Sequence, residues 1–400
     1  MQQVILFDDG LSELSPLTDL RAAFDLRTGA LTTLERWRRT PNRRVVALFC
    51  PKGIEAVTRE RHAIAVNKPP SGDEPLLLVN ARCPRPPREL ETLGMGQALI
   101  ERASGDVVAA FLDADSAREF LATRTLGTRP TVAVHERCLI SRPWHVRTFR
   151  DACLAMDLAL LASPRRGGCE GVNVIGSHPL TIAPSARVYP GATLDLEQGP
   201  IVIDEHAIVR PGAILIGPCY VGEHSSALER ATIRPNTAIG PWCKVNGEVG
   251  GTIFQGFSNK AHDGYLGDSW VGEWVNLGAG TTNSNLLNTY AQVIARATPA
   301  SGNERTGEQF LGATIGDHVK TAICTRLMTG CVLGTGGMFA TTAPVSGATP
   351  RFAWATDTGT RAYRLDKFLE VLHAAMARRT ITPGEAYLAR VAALHAMGGA

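Results

Sequence analysis

The sequence predicts an α/β N-terminal domain followed by a left-handed parallel β-helix of hexapeptide repeats with C-terminal helices, and three observations carry that prediction. Compact apolar runs alternate with helical patterns over residues 1–165. An aliphatic residue then recurs at every sixth position, and amphipathic helical spacing returns only after residue 363.

The apolar runs at residues 4–7, 45–49, 76–79 and 107–112 are the length of strands and carry little polar alternation, as in sheets buried on both faces. Residues 31–39 and 94–103 read as helices between them, with Gly94, Met95 and Gly96 as a turn before the second. Ala152, Leu154, Leu158 and Leu161 mark a further helix over 148–161. Ser163, Pro164, Arg165, Arg166, Gly167 and Gly168 then form a turn-prone stretch. The chain is therefore divided into an α/β domain (1–165), a linker (166–179), a β-helix (180–345) and a helical extension (346–400).

Ile203, Val209, Leu215, Val221, Ala227, Ile233, Ile239 and Val245 follow one another at a step of six without a phase break. Ile182, Val188 and Leu194 form an earlier run in the same step, and Ile315, Thr321, Leu327, Leu333 and Phe339 a later one. A step of six matches neither the helical nor the heptad period. It fits a triangular solenoid in which three hexads make a coil of about 18 residues and the aliphatic member of each points into the prism. Turn-prone residues such as Pro211 and Gly212 bend the chain at the corners. Coils stacked about 4.8 Å apart pair one another's strand edges, so such a stack needs caps at its ends. Leu365, Phe368, Leu369, Leu372 and Met376 have the spacing of an amphipathic capping helix, and a second helix is predicted near 383–395.

With 41 basic and 38 acidic side chains the net charge is +3, which offers no general attraction to nucleic acid or anionic lipid. Nine cysteines are scattered singly with no CxxC pair, which disfavours a zinc cluster and a disulfide framework and suits a reducing compartment. The N-terminus lacks a basic segment leading into a signal-type apolar run, and no apolar stretch approaches the roughly 20 residues of a membrane span. A soluble, cytoplasmic protein with no nucleic-acid or membrane partner is expected.

Residues 271–281, reading VGEWVNLGAGT, and 259–268, reading NKAHDGYLGD, resemble the bifunctional bacterial N-acetylglucosamine-1-phosphate uridylyltransferase and glucosamine-1-phosphate acetyltransferase family. Residues 14–18 (LSPLT) and 24–30 (FDLRTGA) resemble its sugar nucleotidyltransferase subgroup, a resemblance that extends over nearly the whole chain. Acyl transfer from a thioester to an amine needs a base for the amine proton and donors for the oxyanion. The resemblance implies that His262 is that base, that Tyr265, Asn276 and Asn285 contact the sugar or orient the base, and that Arg234 meets a sugar phosphate. It places Ala279 where the backbone approaches acyl-CoA, with acetyl-CoA or another acyl-CoA as donor, in a homotrimer. A surface loop histidine, a packed corner tyrosine and a stacked asparagine ladder are the alternative readings of these residues. Two departures stand out: Leu286 replaces the family's tyrosine, and the lysine that follows has no counterpart before Lys320.

Nucleotidyl transfer needs a glycine-rich turn on the phosphates, a basic group and carboxylates on Mg²⁺. Here the first strand runs into Asp8, Asp9 and Gly10, Ala22 and Ala23 replace the family's Pro-Lys pair, and Asn80, Ala81 and Arg82 stand where a Gly-Asp is usual. One reading makes Arg21, Arg27 and Arg82 the phosphate ligands, with Asp8 or Asp9 on the metal. The other makes Asp8, Asp9 and Gly10 a plain turn and the arginines structural. Two functions follow as expectations. One is a transferase acting on a sugar phosphate, a nucleoside triphosphate and acyl-CoA; the other is a non-catalytic sugar-nucleotide-binding or regulatory protein that retains both folds.

Overall fold

The computed structural model describes residues 1–163 and 170–398, so the domain boundary expected at 165–166 lies outside the described residues. The N-terminal sheet contains β1 (Gln2–Phe7), β2 (Arg43–Phe49), β3 (Ala65–Val66), β4 (Leu76–Asn80), β5 (Gln97–Glu101), β6 (Val107–Leu112) and β7 (Thr131–Val134), in the order β3-β2-β1-β4-β6-β5-β7. β1 pairs in parallel with both β2 and β4, whereas β6 runs antiparallel to its neighbours. Val4 and Leu6 point into one apolar cluster and Ile5 and Phe7 into another, which explains an apolar run with no polar alternation. Helices α1 (Thr33–Arg39), α2 (Lys52–Arg61), α3 (Ala114–Thr123) and α4 (His145–Leu161) connect and flank these strands. α1 starts at a capping box in which Thr32 and Glu35 satisfy each other's backbone N–H.

The helix expected over 94–103 is instead strand β5. Ala98 and Leu99, both fully buried, pack into opposite-facing clusters, so the segment obeys a period of two inside the sheet. Gly96, at φ +79°, turns the chain into that strand rather than into a helix.

The β-helix has three parallel sheets. The first runs from Leu180–Ile182 through Trp270–Glu273 to Val332–Leu333. The second begins at Arg187–Val188 and passes Asn259–Lys260, Asn276 and Lys320–Thr321, and the third runs from Asn173–Gly176 to Tyr265–Gly267. Ile203, Val221 and Ile239 pair in register one coil apart, and every member of the run from Ile203 to Val245 is 0% exposed. At one corner His206, His224, Trp242, Phe257, Trp274 and His318 all adopt φ between 56° and 62°. Their rings form a continuous stack at centroid spacings of 4.7, 4.2, 6.4, 4.6 and 6.3 Å. Stacking of this kind offsets the cost of a left-handed backbone at non-glycine residues.

After Thr282–Asn283 the chain leaves the coil through a loop carrying the antiparallel pair Ile294–Ala295 and Glu304–Arg305, and re-enters at Thr314–Ile315 against Trp270 and Val271. This excursion is the physical cause of the phase break before Ile315. The extension expected to be helical from 346 begins with one more rung, Ala353–Thr356 on Met338–Ala340, and a hairpin to Gly359–Ala362. Helices α5 (Leu365–Ala377) and α6 (Glu385–Met397) follow. Tyr387, Val391 and Leu394 of α6 join one cluster with Ile54 and Val57 of α2. The C-terminus thus packs back onto the first domain. α4 covers the first β-helix sheet, with Phe149, Cys153, Leu154 and Leu158 against Val202, Tyr220, Ala238, Ile253 and Trp270. Among the described residues no helix is long and apolar enough to cross a membrane.

Candidate functional site

In an open α/β sheet ligands bind beyond the carboxyl ends of the strands where the connection reverses direction. That point here lies between β1 and β4, beside Asp8, Asp9, Asn80 and Arg82. A cavity of about 180 Å³ opens there, and its walls include Asp8, Gly10, Arg21, Gly53, Arg82 and Arg390. It adjoins a cleft of about 720 Å³ that shares Asp8, Gly10 and Pro51 and adds Lys52, Arg118 and Arg124. The structure therefore brings Asp8, Arg21 and Arg82 together.

Arg27 is not with them. Its guanidinium lies under the β-helix, donating to the Gln255 carbonyl at 3.2 Å and to the Ala30 carbonyl, and it pairs with Glu35 at 3.3 Å. The phosphate-ligand reading of Arg27 is corrected by this burial against the first sheet. Arg21 is also largely committed, pairing with Asp317 at 2.7 Å and Glu273 at 3.1 Å across the domain junction. Arg82 pairs with Asp9 at 2.6 Å and Asp106 at 2.7 Å.

The metal reading of Asp8 and Asp9 does not fit the geometry. Asp8 accepts from the backbone N–H of Gly10 at 3.0 Å and of Ala23 at 2.7 Å. Asp9 accepts from Leu11 N–H, Asn80 Nδ2 and both Arg82 Nε and Nη2. Each of the four oxygens is taken, and among the described residues no group of three or more His, Cys, Asp or Glu side chains is placed to hold a metal. Burial pushes the Asp8 carboxyl above the usual range, against its two backbone hydrogen bonds. Burial acts in the same direction on Asp9, but its hydrogen bonds and charge pairing with Arg82 outweigh that and hold it low.

The second group of residues lies on the β-helix. His262 is exposed at the corner between the second and third sheets. The next coil stacks on this corner through Gly280 N–H to the Asp263 carbonyl at 3.1 Å, which places Ala279 beside it, and the Ala279 carbonyl accepts from Cys324 N–H at 2.6 Å. Gly264, at φ +123°, leaves room for that stacking, since a Cβ there would lie 2.2 Å from the Thr281 carbonyl oxygen. Tyr265 and Asn285 meet directly: Asn285 Nδ2 donates to the Tyr265 hydroxyl at 3.0 Å and to Asp268 Oδ2 at 2.7 Å. Burial, then the Asp268 charge, raises the Tyr265 phenol. Arg234 is on the same sheet, paired with Glu248 at 2.6 Å, and Glu248 is in register with Tyr265. Asn276 is separate, facing outward on the second sheet between Asn259 and Lys320.

Three features escaped the sequence reading. Asp268 anchors Asn285 and is itself held by Arg147 at 2.9 Å and Arg150 at 2.6 Å, both from α4. Lys260 occupies an inward hexad position, the register partner of Val245, and donates to the His262 carbonyl at 2.7 Å and the Asn246 carbonyl at 3.0 Å. Burial pushes its ammonium down to about 8. Lysine at a six-residue step was the available signal for this one. Arg390 reaches the N-terminal cavity from α6 and had no signal in the sequence.

Residues 4–166 match the sugar nucleotidyl transferase family model. The matched residues include the sheet that carries the strand-end cavity. Curated relatives include the bifunctional protein GlmU of Nostoc sp., 27% identical over 175 residues that are 38% of this chain and 38% of that protein. A bifunctional sugar-1-phosphate nucleotidylyltransferase/acetyltransferase of Sulfurisphaera tokodaii is 32% identical over 139 residues, 34% of each chain. GlmU of Methanococcus maripaludis is 30% identical over 142 residues, 35% of this chain and 34% of that protein. The chain spans little more than a third of the length of these relatives. Among solved structures, a UDP-N-acetylglucosamine acyltransferase of Francisella novicida aligns at TM-score 0.21 and 13% identity over 51% of this chain and 73% of that one.

Proposed function

We propose that the chain is a bifunctional transferase of sugar-nucleotide metabolism. Its N-terminal domain handles a nucleoside triphosphate and a sugar 1-phosphate, and its β-helix transfers an acyl group from acyl-CoA to a sugar. The observation that carries the acyl half is the exposed His262 imidazole three residues from the Tyr265–Asn285–Asp268 hydrogen-bond chain. In this reading His262 takes the proton of the attacking amine, Tyr265 and Asn285 orient the acceptor, and Arg234 meets its phosphate. Ala279, stacked on the same corner, leaves space for the thioester. The donor is acetyl-CoA or a close homologue, and free thiols at the eight described cysteines suit a cytoplasmic setting.

We read the assembled form as a homotrimer with the acyl-CoA groove between neighbouring prisms. The support is that α4 covers the first sheet, while the third sheet leaves Ile175 and Ile214 exposed. Closed cyclic symmetry buries such a face without open-ended association. Asn276 belongs to a different face and contributes to this reading only if a neighbouring chain brings it to the groove.

The Asp9–Arg82 ion pair favours the second reading for the N-terminal half, a domain that binds a sugar nucleotide without turning it over. Two assays separate the readings: thiol release from acetyl-CoA with a panel of amino-sugar phosphates, and pyrophosphate release with nucleoside triphosphates. Activity in both supports the bifunctional enzyme. Thiol release alone supports a binding N-terminal domain, and silence in both with tight sugar-nucleotide binding supports the non-catalytic alternative.

A further inference from the structure

We infer that the C-terminal helix α6 completes the N-terminal cavity, with Arg390 supplying a cationic ligand to a phosphate group bound there. The inference rests on reading the N-terminal domain as a phosphate-handling site.

The cavity wall contains three arginines from three distant segments: Arg21, Arg82 and Arg390. Two are balanced by carboxylates, Arg21 by Asp317 and Glu273 and Arg82 by Asp9 and Asp106. Arg390 has no such partner among the described residues. Its Nε donates to the Asp19 backbone carbonyl at 2.9 Å, and the Asp19 carboxylate is taken by Arg351 at 2.6 Å. Among the described residues Arg390 is therefore the arginine of this wall without a carboxylate partner, and the Asp8 carboxylate in the same wall is held by backbone N–H groups.

Arg21 and the start of α2 line the same cavity. Arg21 is 1% exposed, and its Nε is buried with no hydrogen-bond partner among the described residues. An orphaned donor of this kind costs free energy until something accepts from it. Arg390 also lies over the first turn of α2, where a Cβ on Gly53 would be 3.2 Å from its Nη1. Within that turn the Ile54 N–H donates to the Pro51 carbonyl at 3.0 Å, whereas the amides of Lys52 and Gly53 precede any i−4 carbonyl of the helix, and the dipole there favours an anion. A volume of about 180 Å³ accommodates a phosphate and part of the group it esterifies. The phosphate oxygens accept from the guanidinium groups, which suits the planar fork of arginine.

α6 is held in position independently of any ligand. Tyr387, Val391 and Leu394 pack on α2, and the Glu60 carboxylate of α2 accepts from Tyr387 N–H at 3.2 Å. The arginine can thus be removed without removing the helix that carries it.

The phosphate has two possible sources, the sugar 1-phosphate or the nucleoside triphosphate, so calorimetric titrations use a hexose 1-phosphate and UTP in separate arms, with the unphosphorylated hexose and uridine as controls. The proteins are the wild-type chain, Arg390→Ala, Arg390→Lys and the charge control Arg364→Ala on the exposed end of α5. The expected result is that Arg390→Ala weakens at least one phosphorylated probe by roughly 10-fold or more, in line with loss of a charge-assisted hydrogen bond. Arg390→Lys recovers part of the loss, Arg364→Ala matches the wild type, and the thermal midpoints stay close. The arm in which the loss appears identifies the source. Wild-type binding that Arg390→Ala leaves unchanged overturns the role of Arg390 and spares the N-terminal site. A wild type that binds none of the phosphorylated probes overturns the phosphate-site reading, and the role of Arg390 with it.

Discussion

At the scale of single residues, the two groups of polar side chains differ in how much of their chemistry is free. His262 is exposed, and Lys260 holds the backbone of its corner rather than its ring. Replacing it with alanine is expected to lower acyl transfer by roughly 10²-fold, the scale of losing a general base, while leaving acetyl-CoA affinity close to the wild type. Steady-state rates of thiol release check this, and wild-type turnover in His262→Ala would remove the histidine from the mechanism. Glu273 is the opposite case. Burial disfavours its charge, but Arg61 and Arg21 outweigh that and bring its pKa down to about 2 from 4.5. Its pairing therefore stabilises the fold fully above about 4.5 and is lost as pH falls toward 2. Asp317, raised to about 6 by burial, acts in reverse, adding stability as pH falls from about 6 toward 3.8. Urea midpoints of the wild type and Glu273→Gln should differ most near neutral pH and converge as the pH approaches 2. A gap that is constant with pH would show that Glu273 is not ionised in the native cluster.

At the scale of elements, each rung of the prism depends on its inward residue. Val221 is 0% exposed and paired in register with Ile203 and Ile239, so an aspartate there would place a carboxylate among aliphatic side chains with no partner. Val221→Asp is expected to abolish soluble expression, whereas Val221→Ala should cost about 1–3 kcal/mol and remain foldable. Soluble, cooperatively folding Val221→Asp would contradict the inward assignment. Lys260 holds an inward position because backbone carbonyls receive its ammonium. The strand β5 carries a complementary lesson. Its sequence permits a helix, and the sheet decides otherwise because Ala98 and Leu99 each have an apolar layer to enter on opposite sides.

At the scale of the whole molecule, the two halves are joined by burial rather than by the linker alone. α4 and the segment from Leu14 to Ala30 close the first sheet of the prism, and Arg21 spans from one half to Glu273 and Asp317 of the other. The third sheet carries Tyr265, Arg234 and the exposed Ile214, so in the proposed trimer it is the face on which assembly and the acyl site would meet. Light scattering is expected to give a mass of three chains for both the wild type and His262→Ala. A charged substitution at Ile214 is expected to lower that mass and the rate of acyl transfer together. A monomeric wild type would remove the groove between prisms from the proposal.

The six-residue step by itself determined the β-helix, because an inward side chain every sixth position is a local rule that each coil repeats. The strands β1, β2, β4 and β6 were likewise legible from their apolar runs, and the helices α5 and α6 from helical spacing. Only the tertiary structure decided which polar residues share a space. The loop excursion after Asn283 puts Lys320 on the rung next to Asn276, though many residues separate them in the chain. The folding of α6 back onto α2 brings Arg390 to Asp8 and Arg82, while Arg27, close in sequence to Arg21, is carried under the prism. Periodicity reports the direction in which a side chain points. Its partner across the domain junction is chosen by packing between segments that no local pattern connects.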